Sequence, residues 1–385
     1  MRAALLVTHL LGTGHLRRAA LIADAFVAAG HEALVISGGR AAPLAEPRVA
    51  RLERLPALRT PPDFSVLLDA EGAPATPALL AERRARIAAA LRGFDPDVLV
   101  CELWPFGRRR LAAEFESALD AVPRARKICS VRDILQHPRK PGRAEAAEAT
   151  FAARFDFGVV HGDPSFLKLS ASWPMDEGRW RYTGYVDEGA NPPPRPLRGT
   201  ASPPKRGEGE TQTLRPALAL SPPAGGGLGG GPVEPSAILV AAGGGAAGAP
   251  LFAAAARAAD AGWTLLGAPD MPMRGRVEPL SPAFRARLAA CDAAVVQCGY
   301  NTAMDLLAAR ARALLVPFEG EGEAEQLIRA TAMAARFGYP VLRERDLSAA
   351  ALREGVEAAR AMPRPPPDAL DRGVAARTVM LCEAS

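Results

Sequence analysis

The chain has 385 residues, 49% of them hydrophobic and 23% charged, with a net charge of +5. That length exceeds one ordinary core and implies two domains of soluble, globular composition. The modest charge, with scattered arginines and no basic run interleaved with aromatics, speaks against a nucleic-acid track.

Five cysteines (Cys101, Cys129, Cys291, Cys298 and Cys382) have neither metal nor redox spacing and read as reduced, buried thiols of a cytoplasmic protein. The apolar N-terminal stretch is short, broken by His9, and followed rather than led by basic residues, unlike a secretion signal. No window approaches 18 uninterrupted apolar residues, so no spanning helix is expected.

The first apolar run, Ala3 to Val7, reads as a buried strand, and Leu16, Ala19, Ala20, Ala23, Phe26 and Val27 follow at helical spacing, with Gly30 as a stop. Between them lies "GTGHLRR". The loop therefore joins a strand to a helix N-terminus, where free N–H groups and the dipole favour an anion. Arg17 and Arg18 sit in that first turn, against the dipole, which implies that something negative belongs there. A solvated helix start is the plain alternative.

Strands are then expected at 31–37, 97–102, 126–133 and 155–163, with helices at 79–94 and 111–122. Alternation of this kind predicts a parallel sheet with right-handed crossovers, whose ligands gather at the carboxyl ends of the strands. His15, Glu102, Asp133 and His161 all fall at such ends. "WPFGRRR" (104–110) has two readings: a peripheral membrane contact through Trp104 and Phe106, or a loop into a helix whose arginines attract an acidic substrate.

A first domain is thus expected over 1–190. Residues 191–235 are dense in proline and glycine and nearly repeat themselves ("SPPKRGEGE", "SPPAGGGLGGG"), a composition that marks a linker with a low-complexity insertion. The pattern restarts over 236–385. Strands are expected at 236–242, 263–267, 293–297 and 313–318, and helices at 250–262, 283–292 and 303–311, with a loop and helix over 319–338. Two α/β halves imply a cleft, the default site.

"GGGAAG" (243–248) satisfies G-x-G-x-x-G after a strand and before a helix. That context admits a nucleotide phosphate, or a dinucleotide cofactor with Asp270 as the ribose acid, or merely a tight turn. In "CGYNTAMDLL", Gly299 permits a sharp turn, and Thr302 with Asp305 reads either as a capping box or as a phosphate and ribose site. Glu325 and Gln326 open a further helix at the same sheet edge. His15, beside a glycine loop facing the cleft, reads as a structural histidine or as a general base. No Ser-His-Asp, H-E-x-x-H or Asp-rich metal motif accompanies it.

Taken in order, "GTGHLRRA", "GGG", "CGYNTAMDLLAA" and "EAEQLIRA" resemble the GT-B glycosyltransferases. The chain is most similar to family 28, with the peptidoglycan N-acetylglucosaminyltransferase, and within it to bacterial proteins described as predicted glycosyltransferases. The resemblance spans nearly the whole chain outside 191–235. It implies two Rossmann-like domains facing a cleft, and a metal-independent, inverting enzyme with no cofactor beyond a UDP-sugar donor held by the C-terminal domain. Gly243, Gly244, Gly245, Gly299, Tyr300, Asn301 and Thr302 would face the diphosphate. Asp305 stands where the family has a ribose-binding glutamate, and Gln326, beside Glu325, matches a glutamine on the donor sugar. His15 matches the histidine of the N-terminal glycine loop and would deprotonate the acceptor hydroxyl. Gly12, Thr13, Gly14, Arg17, Glu102, Arg132 and Asp133 would line the acceptor and phosphate side.

The N-terminal loop has fewer glycines than the peptidoglycan enzyme, and "ELWPFGRRR" and "CSVRDILQHP" do not align with it. A lipid-linked muropeptide acceptor is therefore not carried over. Four other readings remain at this point: a nucleotide-sugar hydrolase, a 2-epimerase using Glu102 and Asp133, a dinucleotide oxidoreductase, and a non-enzymatic sugar-nucleotide sensor.

Overall fold

The structure is a computed structural model describing residues 1–61, 65–136, 138, 140–187, 237–242, 246–280, 283–320, 324–372 and 375–384. The 191–235 insertion and the Gly243–Gly245 loop lie outside the described residues.

The first unit is a seven-stranded sheet. Its strands are β1 (Arg2–Val7), β2 (Glu32–Ser37), β3 (Arg51–Arg54), β4 (Val98–Glu102), β5 (Arg126–Arg132), β6 (Phe157–His161) and β7 (Trp180–Tyr182). They run in the order β3-β2-β1-β4-β5-β6-β7, with every described pairing parallel. The strands read as continuous apolar runs because helices cover both faces. One face carries α1 (Gly14–Ala28), whose Leu16, Ile22 and Phe26 are buried. The other carries α2 (Pro77–Phe94), α3 (Ala112–Ala121) and α4 (Arg143–Arg154). Local signals set α2: the Thr76 hydroxyl caps it by accepting from the Leu79 N–H at 3.2 Å, and Pro77 takes the first turn.

The second unit has β8 (Ile238–Ala241), β9 (Trp263–Leu266), β10 (Arg276–Glu278), β11 (Ala293–Val296) and β12 (Ala313–Leu315). These parallel strands run β10-β9-β8-β11-β12. Around them pack α5 (Ala249–Ala258), α6 (Phe284–Ala290), α7 (Tyr300–Ala309), α8 (Glu325–Phe337) and α9 (Ala349–Ala361). The last helix, α10 (Ala375–Glu383), departs from the expected 236–385 unit. Its Ala375, Val379 and Cys382 join the core of α1 and the first sheet.

Strand order reverses between β1 and β4 in the first sheet and between β8 and β11 in the second. Ligand crevices of open parallel sheets lie at such points, outside the carboxyl ends. The His15 loop follows β1, Glu102 ends β4, and the Gly299 turn follows β11.

Trp104 and Phe106 correct the membrane reading of 104–110. Trp104 stacks on Phe115, and Phe106 packs edge-on against Trp173 and Trp180. Both rings are buried, so inserting them into a bilayer would open the core. Among the described residues no helix is long and apolar enough to cross a membrane.

Candidate active site

At the carboxyl edge of the first sheet, His15 Nδ1 lies 2.7 Å from Glu102 Oε1. The adjacency of β1 and β4 brings together two residues 87 positions apart. Glu102 also pairs with Arg18 and accepts from the Ser130 hydroxyl at 2.7 Å. Ser130 Oγ is 3.0 Å from His161 Nε2, and His161 Nδ1 is 2.8 Å from Thr183 Oγ1.

The single proton of Ser130 decides the direction of this chain. An ionised carboxylate is the stronger acceptor, so Ser130 donates to Glu102 and accepts from His161 Nε2–H, and Thr183 donates to His161 Nδ1. Every donor then points toward Glu102. His15 gives its Nδ1–H to the same carboxylate and keeps its Nε2 lone pair.

Burial sets the protonation of these groups. It pushes His161, which is fully buried, down to about 3, aided by Arg18. It also pushes His15 down to about 3, with Arg108 and Arg132 adding repulsion against the pull of Glu102. Burial alone would raise the Glu102 carboxyl, but Arg18 and His15 outweigh it and hold it well below the usual carboxylate range. Both imidazoles are therefore neutral, and Glu102 is charged, at neutral pH.

The second unit closes on this edge. A Cβ added to Gly14 would stand 3.3 Å from Asn301 Nδ2, so the two glycine turns meet across the boundary. Arg329, from α8, takes both oxygens of Asp133 at 2.9 and 2.7 Å and also donates to Glu325 at 2.9 Å. Arg132 pairs with the other Glu325 oxygen. Arg17 lies 3.7 Å from Asp305, which Arg285 grips at 2.7 Å. The negative partners implied for Arg17 and Arg18 are thus the protein's own Asp305 and Glu102.

Several expected site residues have structural partners here. Tyr300 is buried; its ring lies under Arg18 at 5.3 Å and its hydroxyl accepts from the Val186 N–H at 3.0 Å. Asp133 is fully buried against Arg329. The Thr302–Asp305 capping box does not form: α7 starts at Tyr300, with Gly299 as N-cap and no side-chain cap, which moves Asp305 out of the first turn. Gln326 Oε1 accepts from the Phe318 N–H at 3.1 Å. Gly12 and Thr13 are exposed, while Gly14, Gly299, Asn301 and Thr302 are half-buried. Among the described residues, no cluster of His, Cys, Asp and Glu has metal-site geometry.

No family model matches the chain, and no curated protein matches it. Solved structures do match. The chain is similar to MurG of Acinetobacter baumannii, at 11% identity and a TM-score of 0.53, covering 100% of both chains. It is similar to the glycosyltransferase SsfS6 of Streptomyces sp. SF2575 complexed with thymidine diphosphate, at 17% identity and 0.55, again covering 100% of both. Spinosyn forosaminyltransferase SpnP matches at 15% identity and 0.56, over 100% of this chain and 94% of that one. The fold is GT-B. Two Rossmann-like units facing a cleft are thus established by sheet topology and by these likenesses together.

Proposed function

We propose that the protein transfers a sugar from a nucleotide-diphosphate donor, a UDP-sugar, to an acceptor hydroxyl, with inversion and without a metal. The observation that carries this reading is the 2.7 Å His15–Glu102 hydrogen bond at the switch point of a GT-B sheet. With Nδ1–H fixed on Glu102, His15 offers Nε2 to the acceptor. The hydroxyl proton passes to Nε2, the acceptor oxygen bonds to the anomeric carbon, and the bond from that carbon to the diphosphate breaks, its electron pair leaving on the diphosphate. Glu102 stabilises the imidazolium that forms. Backbone N–H groups at the start of α7 offer positive potential to the leaving group.

Single displacement also fits the acids. Glu102, Asp133, Asp305 and Glu325 are each held by arginines, which leaves none of them free as the covalent nucleophile of a two-step reaction or as the proton shuttle of an epimerase. On the donor side the resemblance carries over to Gly243, Gly244, Gly245, Gly299, Asn301, Thr302 and Gln326. Tyr300, Asp305 and Glu325 serve there by supporting the turn and the helix that these residues stand on.

The test is nucleotide release from UDP- and dTDP-sugars with and without an acceptor extract, followed by product analysis. Acceptor-dependent release is expected, with His15→Ala lowering it by at least about 100-fold while donor affinity stays within about twofold. Equal release in buffer alone would identify a hydrolase instead. Silence from every sugar nucleotide would remove the transferase reading.

A further inference from the structure

Arg18, Arg108, Arg132 and Glu102 act on His15, and Arg132 links them through Glu325 to Arg329 and Asp133. Arg18 pairs with Glu102, Arg329 with Asp133 and Glu325, and Arg132 with Glu325. Those pairings occupy every acid in the cluster and leave Arg108. Its Nε donates to the Thr8 carbonyl at 2.6 Å, and its two terminal nitrogens have no protein partner among the described residues. Arg108 is half-buried, at the end of the loop that leaves β4 just after Glu102. Its backbone is left-handed, φ 58°, a conformation unfavourable for a non-glycine residue. Burial, then the charge of Arg132, push Arg108 down to about 10 against the attraction of Glu102, still charged at neutral pH.

A half-buried cation without an acid paired directly to it is unfavourable, and here it is held in place by a strained backbone and a fixed Nε. Arg132, its neighbour, has a buried Nε without a protein partner. We propose that Arg108, together with Arg132, binds an anionic group, a carboxylate or a phosphate, carried by the acceptor beside its reacting hydroxyl. That the anion belongs to an acceptor rests on the transferase reading above; the anion site itself stands on charge and geometry. A bound anion would also offset the repulsion that Arg108 and Arg132 exert on protonated His15. The base then gains proton affinity only when a charged acceptor is in place, a basis for selecting acidic over neutral acceptors.

The test is calorimetric titration of the full chain with inorganic phosphate, alone and with saturating UDP, beside a titration with UDP itself. The expected result is phosphate binding that weakens about tenfold or more in Arg108→Gln, with UDP affinity unchanged and partial rescue by Arg108→Lys. Arg108→Asn, which tolerates the left-handed backbone, gives the same loss if folding of the glutamine variant is in question. Phosphate affinity equal in wild type and variants would overturn the proposal. So would competition between phosphate and UDP together with weakened UDP binding in Arg108→Gln, since that assigns Arg108 to the donor diphosphate. Arg108-dependent phosphate binding in a protein that turns over no sugar nucleotide would leave the anion site standing and remove only the transferase reading.

Discussion

Two polar assemblies lie side by side in the cleft and are built differently. The first runs from Thr183 through His161, Ser130 and Glu102 to His15, at the carboxyl edge of one sheet and the loops that follow it. It contains one ion pair, Arg18 with Glu102; neutral His15 and Ser130 bond the same carboxylate, and the Ser130–His161 and His161–Thr183 links join neutral groups to each other. The second joins the two units: Asp133 and Arg132 to Arg329 and Glu325, and Arg17 to Asp305. The first is complete once a single sheet has folded, so it can hold a base in a fixed orientation whatever the second unit does. The second exists only while the units are docked, and it is where salt and donor binding should act.

Arg329→Ala should have the largest effect on the second assembly. It leaves Asp133, fully buried, without its counter-ion and with only the Tyr185 hydroxyl at 3.2 Å, and removing one member of a buried pair costs about 3–5 kcal/mol. Urea denaturation should show that loss, whereas Asp133→Leu combined with Arg329→Met should recover most of it. A single-variant cost below about 1 kcal/mol would mean that the bridge is solvated and the docking loose.

Acid should strike the first assembly next. His15 and His161 stay neutral in the fold down to about 3, while the unfolded chain takes up those protons near pH 6.5. The unfolded state therefore binds more protons over that interval, and stability falls as pH drops below 6.5. The slope approaches about 1.4 kcal/mol per pH unit for each histidine. Between pH 6.5 and about 5.5, where His9, also pushed down by burial, adds to the histidine slope, His161→Gln should lose between about a third and about a half of it; an unchanged slope would mean that His161 is not held neutral.

Much of the fold was legible because buried parallel strands are continuous apolar runs: "ALLV", "ALVIS", "VLVCE" and "AAVV" all proved to be strands. What escaped was polar or unusually placed. The edge strand β3 is "RLER" with no fully buried residue, and α4 buries only Ala147 and Phe151, too few for a stripe. Helix α10 could not be allotted to the first unit from local pattern, since only tertiary packing joins it to α1. In the site, His15 and Glu102 were each recognisable by position, but their contact was not, because strand order sets it. Arg329 was missed although it lies four residues after Glu325 on one helix face, a spacing that signals an ion pair.

Ser130 lies at the middle of the first assembly. Ser130→Ala should leave His161 Nε2 and one Glu102 oxygen short of a partner, costing about 1–3 kcal/mol of stability. Because Ser130 acts on the reaction only through Glu102, kcat should fall with KM for the acceptor nearly unchanged, and Ser130→Thr should restore part of it. A loss confined to stability would reduce the serine to a packing role.

The smallest effect belongs to the outer part of the second assembly. Asp305 is buried, and that burial raises its carboxyl, while Arg17 and Arg285 pull it back down. Those two arginines are about a quarter exposed, at 25% and 27%, so water can take over when the acid loses its charge. Asp305→Asn should therefore cost about 1 kcal/mol or less, and high salt should shrink the difference further. UDP affinity gives the more telling readout. If Asp305 only anchors Arg17 and Arg285, the asparagine variant frees both guanidiniums toward a diphosphate, and UDP should bind as well as before or tighter. If instead its carboxylate reaches the ribose, as the glutamate of the similar family implies, UDP should bind more weakly at every ionic strength.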